Sequence, residues 1–174
     1  GLILLNDRTN DGEIQVQGHE GVVRTVCFSK SGERLFSGGR DGVVRVWSLP
    51  NLELVEVFEG HKKQVNKVAV SPNGDWLASA SDDGRIRLWG MRGQESRCLV
   101  GHPMWVSDLV WLSNETLVSS SADSTLAVWT ATGHAMQPLY GHVHPVRSLA
   151  ACAERGLMAS GDEGGFIRIW DTDT

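Results

Sequence analysis

Gly-His dipeptides at 18–19, 60–61, 101–102 and 141–142 recur with starts 42, 41 and 40 residues apart. Each His is followed 27 or 28 residues later by a tryptophan that ends a short apolar run, at Trp47, Trp89, Trp129 and Trp170. A period of this size marks one supersecondary unit used repeatedly, and such units bury their apolar faces only by stacking on one another. The single residue missing from the third copy lies in the turn of "LSNETL", where five residues precede the final Leu and the second copy has the six of "SPNGDW" before Leu77.

A finer pattern runs inside each copy. Apolar residues fall four, seven and nine positions after the His: Val23, Val26, Phe28; Val65, Val68, Val70; Val106, Leu109, Trp111; and Val146, Leu149, Ala151. β-Branched and aromatic residues followed by Gly, Pro, Asn and Ser read as a strand and a turn. Next come "RLFSGG", "WLASAS", "TLVSSS" and "LMASGD", each with a serine ten residues before the Trp. A tight turn leads to "VVRVW", "RIRLW", "TLAVW" and "FIRIW". The segments between units, "LELVEVFE", "SRCLV" and "AMQPLY", suit a fourth strand. No segment has a helical period. The chain is expected to be all-β, with about four short strands per unit.

Composition narrows the partners. The net charge of −5 is spread along 174 residues with no basic block, so general attraction to nucleic acid or to an anionic membrane is not expected. No apolar run approaches the roughly 18 residues that span a bilayer, and the first residues lack the pattern of a secretory signal. Cys27, Cys98 and Cys152 are sparse and odd in number, which fits reduced thiols inside the cell, in cytoplasm or nucleus. The acceptor pattern "NET" at 114–116 is then expected to be unused.

The repeat resembles the WD repeat (WD40) family, including a closing "IWD" at Ile169–Asp171; the other repeats end in "WS", "WG" and "WT". The resemblance covers nearly the whole chain, with repeats at about 18–59, 60–100, 101–140 and 141–174 and residues 1–17 as the remnant of a preceding blade. It implies a β-propeller of about four four-stranded blades, as a segment of a larger propeller of seven or eight. "GLILLN" is similar to "GVVRVW" with the Trp replaced, and "GEIQVQ" precedes the first Gly-His as a fourth strand should. The strand at about Glu13–Gln17 is a candidate to complete the last blade, leaving Gly1–Leu5 over. Two copies closing an eight-bladed ring and a closed ring of four are the alternatives.

Within that family a His, a Ser, an Asp and the Trp form a hydrogen-bonded tetrad. Transferred to this chain, the tetrads are His19, Ser37, Asp41, Trp47; His61, Ser79, Asp83, Trp89; and His102, Ser119, Asp123, Trp129. In the fourth repeat His142, Ser160 and Trp170 match, but Gly164 stands where the Asp belongs, with Asp162 or Glu163 as substitutes. Ser, His and Asp together also suggest a hydrolase. Recurrence at constant spacing, and the absence of a "GxSxG" elbow, favour a scaffold instead. "HVH" at 142–144 lacks a third ligand, so no metal and no cofactor are expected. The glycines of "SGG", "DDG" and "EGG" read as turn positions that need positive φ.

The resemblance also assigns a rim around the channel mouth, where partner peptides dock. Its positions are three and five residues after each His, and the residue before the tetrad Asp. They are Val22, Arg24, Arg40; Gln64, Asn66, Asp82; Trp105, Ser107, Ala122; and Pro145, Arg147, Glu163. Trp111 belongs to the buried apolar series, whereas Trp105 falls on the rim. Tryptophan beside Arg24, Arg40 and Arg147 has the composition of interface hot spots, and the arginines suit a carboxylate or a phosphorylated side chain. The expected function is a non-catalytic scaffold for partner proteins or peptides. A Ser-His-Asp hydrolase and a nucleic-acid-binding propeller are the alternatives.

Overall fold

A computed structural model describes residues 1–6, 13–136 and 138–172. Two strands, β1 (Leu2–Asn6) and β2 (Glu13–Gln17), pair with each other. The first complete blade is β3 (Val23–Phe28), β4 (Arg34–Gly39), β5 (Val44–Ser48) and β6 (Glu53–Phe58), in that spatial order. The second is β7 (Val65–Val70), β8 (Trp76–Ser81), β9 (Arg85–Gly90) and β10 (Arg97–Val100). The third contains β11 (Val106–Trp111), β12 (Thr116–Ser121) and β13 (Leu126–Thr130). The fourth contains β14 (Val146–Cys152), β15 (Leu157–Asp162) and β16 (Ile167–Asp171). All pairings are antiparallel, and a 3₁₀ turn at Ala153–Arg155 links β14 to β15.

Two expectations about fourth strands meet different outcomes. After β13, isolated bridges join Trp129 to Ala135 and Leu126 to Leu139, and Met136 N donates to Val128 O at 2.7 Å. These bonds run along β13 where the fourth strand was expected, and Pro138 has no N–H to add to them. The strand β2 pairs along its whole length with β1 rather than with β16. Its neighbour in sequence is the nearer partner. The cluster of Ile3, Leu35, Trp47 and Leu52, with Ile14 and Val16 against it, then seals this pair onto the first blade.

The core lies between blades, not within them. Phe36, Val44 and Val46 of the first blade pack on Val65, Val68 and Leu77 of the second. Ala78, Ile86 and Leu88 of the second pack on Val106, Leu109 and Trp111 of the third. Val118 and Leu126 of the third pack on Val146 and Met158 of the fourth. The inner strands follow one another around the axis, β3 against β7, β7 against β11 and β11 against β14. At the ends the same repeat positions are uncovered. Ile167 is 77% exposed where Val44, Ile86 and Leu126 are buried, and Phe28 is 61% exposed where Trp111 is buried.

Polar ties cross these interfaces at matching positions. The residue five after the His donates to the carbonyl that begins the next inner strand: Asn66 Nδ2 to Val106 O at 2.9 Å and Ser107 Oγ to Val146 O at 2.5 Å. One position further on, Thr25 Oγ1 accepts from Val68 N at 3.2 Å and Asp108 Oδ2 accepts from Leu149 N at 2.8 Å. Asp108 also holds Lys67 Nζ at 3.0 Å, so one buried carboxylate joins three blades. Trp111 Nε1 donates back to Ala69 O at 3.1 Å.

Glycines 38 and 39 of "SGG" lie in β4 rather than in a turn. A Cβ at Gly39 would fall 2.6 Å from His19 Cγ, so close approach of the imidazole, not positive φ, requires glycine there. Gly84 and Gly165 do have positive φ, 76° and 82°.

Removing the Asp108 carboxylate leaves the Leu149 N–H without its acceptor and the Lys67 ammonium without its counter-charge. Asp108→Ala is expected to lower stability by about 1–3 kcal/mol, read as a lower urea midpoint. An unchanged midpoint would mean that the three-blade tie contributes nothing.

Candidate functional site

In each repeat the tryptophan of the third strand points its indole at the serine of the second. Trp47 Nε1 donates to Ser37 Oγ at 2.8 Å, Trp89 to Ser79 at 2.9 Å, Trp129 to Ser119 at 2.8 Å and Trp170 to Ser160 at 2.8 Å. An indole can only donate, so the hydroxyl accepts here and turns its own proton to the imidazole Nε2. Those Ser–His distances are 2.7 Å for His19, 2.8 Å for His61 and His102, and 2.7 Å for His142. The proton left on Nδ1 donates to a carboxylate, at 2.9 Å for His19–Asp41, 3.0 Å for His61–Asp83 and 2.8 Å for His102–Asp123.

The fourth repeat uses Asp162, with His142 Nδ1 at 2.6 Å from its Oδ2. Gly164, at the position of the other aspartates, offers nothing, and Glu163 pairs with Arg147 instead. Asp162 Oδ1 also accepts the N–H groups of Gly164 and Phe166, each at 3.0 Å, so it organises the turn that Asp41, Asp83 and Asp123 organise elsewhere.

The electrostatics follow from this chain of donors. Burial lowers the His19 and His61 pKa despite their aspartates, keeping both rings neutral. Burial opposes the charge on Asp41, but hydrogen bonds from Arg45 and His19 outweigh it and bring the carboxyl to about 2. Asp83, Asp123 and Asp162 lie below the usual carboxylate value for the same reason, hydrogen bonds winning over burial. The Arg45 contact, Nη1 to Asp41 Oδ2 at 2.8 Å, was missed in the sequence. The signal existed: Arg45, Arg87 and Arg168 all stand two residues before a tetrad Trp. The four serines are fully or almost fully buried, walled in by indole and imidazole.

The tetrads hold the loops from which the rim projects. Seven of the twelve rim residues line one cavity of about 360 Å3: Arg24, Gln64, Asn66, Asp82, Trp105, Ser107 and Arg147. All four blades contribute. Asp82 accepts from Gln64 Nε2 at 2.8 Å and from Asn66 Nδ2 at 2.7 Å, so its carboxylate is held from two sides. The Arg147 guanidinium lies 5.4 Å from the Trp105 ring centroid and also bonds Glu163 through Nε at 2.8 Å. Arg24 is exposed and has no carboxylate partner among the described residues. The Trp105 indole N–H is buried and has no hydrogen-bond partner among the described residues.

The other rim residues stand apart from that cavity. Val22, Arg40 and Glu163 are exposed, Pro145 is half-buried and Ala122 is only 5% exposed. Asn66 and Ser107, besides lining the cavity, form the blade-to-blade bonds described above. Of the "HVH" histidines, His142 sits in its tetrad and His144 stacks on Phe166.

Stacked antiparallel blades, each tied by the same Trp–Ser–His–Asp chain, define a segment of a β-propeller. The model of the "WD domain, G-beta repeat" family matches at residues 12–48, 52–90, 93–130 and 133–171. The chain belongs to the WD40 repeat family.

Among curated proteins it is 60% identical over 38 residues to the human sperm-associated antigen 16 protein, covering 21% of this chain and 6% of that protein. It is 42% identical over 53 residues to an uncharacterized WD repeat-containing protein of Schizosaccharomyces pombe, covering 26% of this chain and 9% of that one. The chain thus spans less than a tenth of the curated relatives it matches. Among solved structures, the RRP9 WD40 repeats superpose with a TM-score of 0.84 at 23% identity, over 98% of this chain and 51% of that one. The computationally designed Ika4 protein gives 0.79 at 25% identity, over 90% and 94%.

Two outcomes are expected from the tetrads. Asp162→Ala should lower the thermal midpoint clearly more than Glu163→Ala, and equal effects would remove Asp162 from its role. Stability should also depend on pH in two stages. Above about 6.5 the contribution of neutral His19 and His61 is complete; below it the unfolded chain takes up protons that the folded rings resist, so stability falls. A second loss begins below about 3.9 as the aspartates protonate, ending for Asp41 near 2. Urea midpoints measured from pH 8 to pH 3 check this, and a rise on acidification from pH 7 to 5 would contradict it.

Proposed function

We propose that the chain is a non-catalytic interaction scaffold whose rim cavity takes an acidic or phosphorylated segment of a partner protein. One observation carries the reading: residues from four blades, different in each, converge on a single cavity holding Arg24, which has no carboxylate partner among the described residues, beside Trp105 and Arg147. A repeat that only packed would be expected to use similar residues in every unit, as the tetrads nearly do. Arginine presents parallel N–H donors that match a carboxylate or phosphate, and tryptophan and arginine are enriched among hot spots.

The non-catalytic part rests on the serines. A nucleophile needs an open face toward substrate, and each tetrad hydroxyl is buried with its oxygen already accepting a hydrogen bond from a Trp indole. The uncovered Ile167, Ile169 and Phe28 favour further blades, from a longer chain or a second copy, closing the ring around the same channel. Three free cysteines, two of them exposed, favour a reducing compartment inside the cell.

Selection of a displayed peptide library on the 174-residue chain tests the rim. The expected winners carry Asp, Glu or a phosphorylated residue, and bind Arg24→Ala about tenfold more weakly, a change of about 1.4 kcal/mol. Trp105→Ala should weaken them at least as much. Winners without negative charge, or with undiminished affinity for both variants, would sink the reading.

A further inference from the structure

The three blade interfaces share one packing plan, and one position in it differs. The first residue of the second strand is Arg34 in β4, Trp76 in β8 and Thr116 in β12. Between the second and third blades, Trp76 is buried in the core with Ala78, Leu88, Trp111 and Ala131. Its ring lies under the Arg97 guanidinium, 4.9 Å from the centroid, and Arg97 also donates to Ala131 O. An aromatic wedge fills that interface.

Between the first and second blades the wedge is absent. Arg34 is exposed, and a groove of about 530 Å3 opens where the next interface holds an indole. Buried Phe36 and half-buried Val70 and Met91 give it an apolar lining. Val70 and Met91 are the counterparts of Trp111 and Ala131, which pack around the wedge next door. An adjoining hollow of about 290 Å3 carries Phe28 and Pro72.

Charge gives the groove its sign. Lys30, Arg34 and Arg92 line it against one acid, Glu33. Arg92 is bonded to Asp75 at 3.1 Å, while Lys30 and Arg34 have no carboxylate partner among the described residues. This local excess of positive charge sits in a chain whose net charge is −5. The corresponding hollow between the third and fourth blades, about 380 Å3 with Thr116 at the same position, has no Lys or Arg in its lining.

We propose that this groove docks an extended segment of a partner protein bearing one aromatic side chain flanked by carboxylates. The aromatic ring takes the space that Trp76 fills one interface further on, and the carboxylates meet Lys30 and Arg34. The groove is bordered by the β3–β4 turn, which lies at the opposite end of the six-residue inner strand from the rim. Six extended residues span roughly 20 Å, so the two surfaces are separate.

The probe is a fluorescein-labelled nonapeptide with one tryptophan between two pairs of glutamates, followed by anisotropy with the whole chain. Saturable binding is expected. It should weaken at least about tenfold, or about 1.4 kcal/mol, for Arg34→Trp, which installs the wedge and is expected to keep the fold because the repeat already accommodates it at Trp76. Arg34→Glu keeps the groove and reverses its charge, and should weaken binding similarly. Replacing the peptide's tryptophan by alanine, or its glutamates by glutamine, should each weaken binding, while Trp105→Ala leaves it unchanged. No saturable binding up to about 1 mM peptide, or full binding by both Arg34 variants, overturns the proposal. Loss on Trp105→Ala alone also overturns it and assigns the peptide to the rim.

Discussion

The bond from a third-strand indole to a second-strand hydroxyl is the link on which the rest of each blade depends. A buried indole N–H needs an acceptor, and the serine one strand away is the group in reach. Once it accepts, the hydroxyl proton is directed to an imidazole on the loop before the inner strand, and the imidazole proton to a carboxylate on the turn between second and third strands. Two strands and two loops are thereby held in one geometry. Each bond contributes about 0.5–1.5 kcal/mol net, whereas burial of the tryptophan itself is worth about 3–5 kcal/mol by truncation. The hydrophobic side chain supplies the energy and the polar chain supplies the register.

Fixing the loops this way leaves the rim free to vary. The tetrads are nearly identical from blade to blade, but the rim residues they position are not, and seven of them meet in one cavity. The same division operates at the opposite end of the strands. There the packing plan is constant, and a single position, Arg34, Trp76 or Thr116, decides whether an interface is filled or open. A repeat protein acquires distinct surfaces by changing residues that its internal bonds do not need.

Much of this was legible because the repeat acts as its own control. Spacing located His, Ser and Trp in all four units, and put Trp111, which is buried, in register with Val70 rather than with Trp105. What spacing could not reveal was compensation. Asp162 takes the missing carboxylate's place from two positions earlier, because the loop of the fourth repeat folds its backbone N–H groups onto it. Nor does a one-dimensional pattern distinguish a glycine needed for φ from Gly39, needed because His19 lies against it. Asn66 and Ser107 illustrate a further gap: both are at rim positions, yet each also bonds the next blade, a contact some 40 residues distant in sequence. The strand β2 paired locally where the sequence allowed a distant partner, because β1 offered both the ladder and an apolar face.

Hydrogen exchange at the seven tryptophan indoles, resolved by ¹⁵N NMR, tests the central link most directly. The indole N–H groups of Trp47, Trp89, Trp129 and Trp170 should exchange slowly, at rates set by opening of the blades, because each is bonded to a serine hydroxyl. Replacing Ser119 by alanine should accelerate Trp129 far more than Trp47. Fast exchange at all four indoles in the unaltered chain, or no change at Trp129 on loss of its serine, would contradict the claim that these bonds hold the blades together.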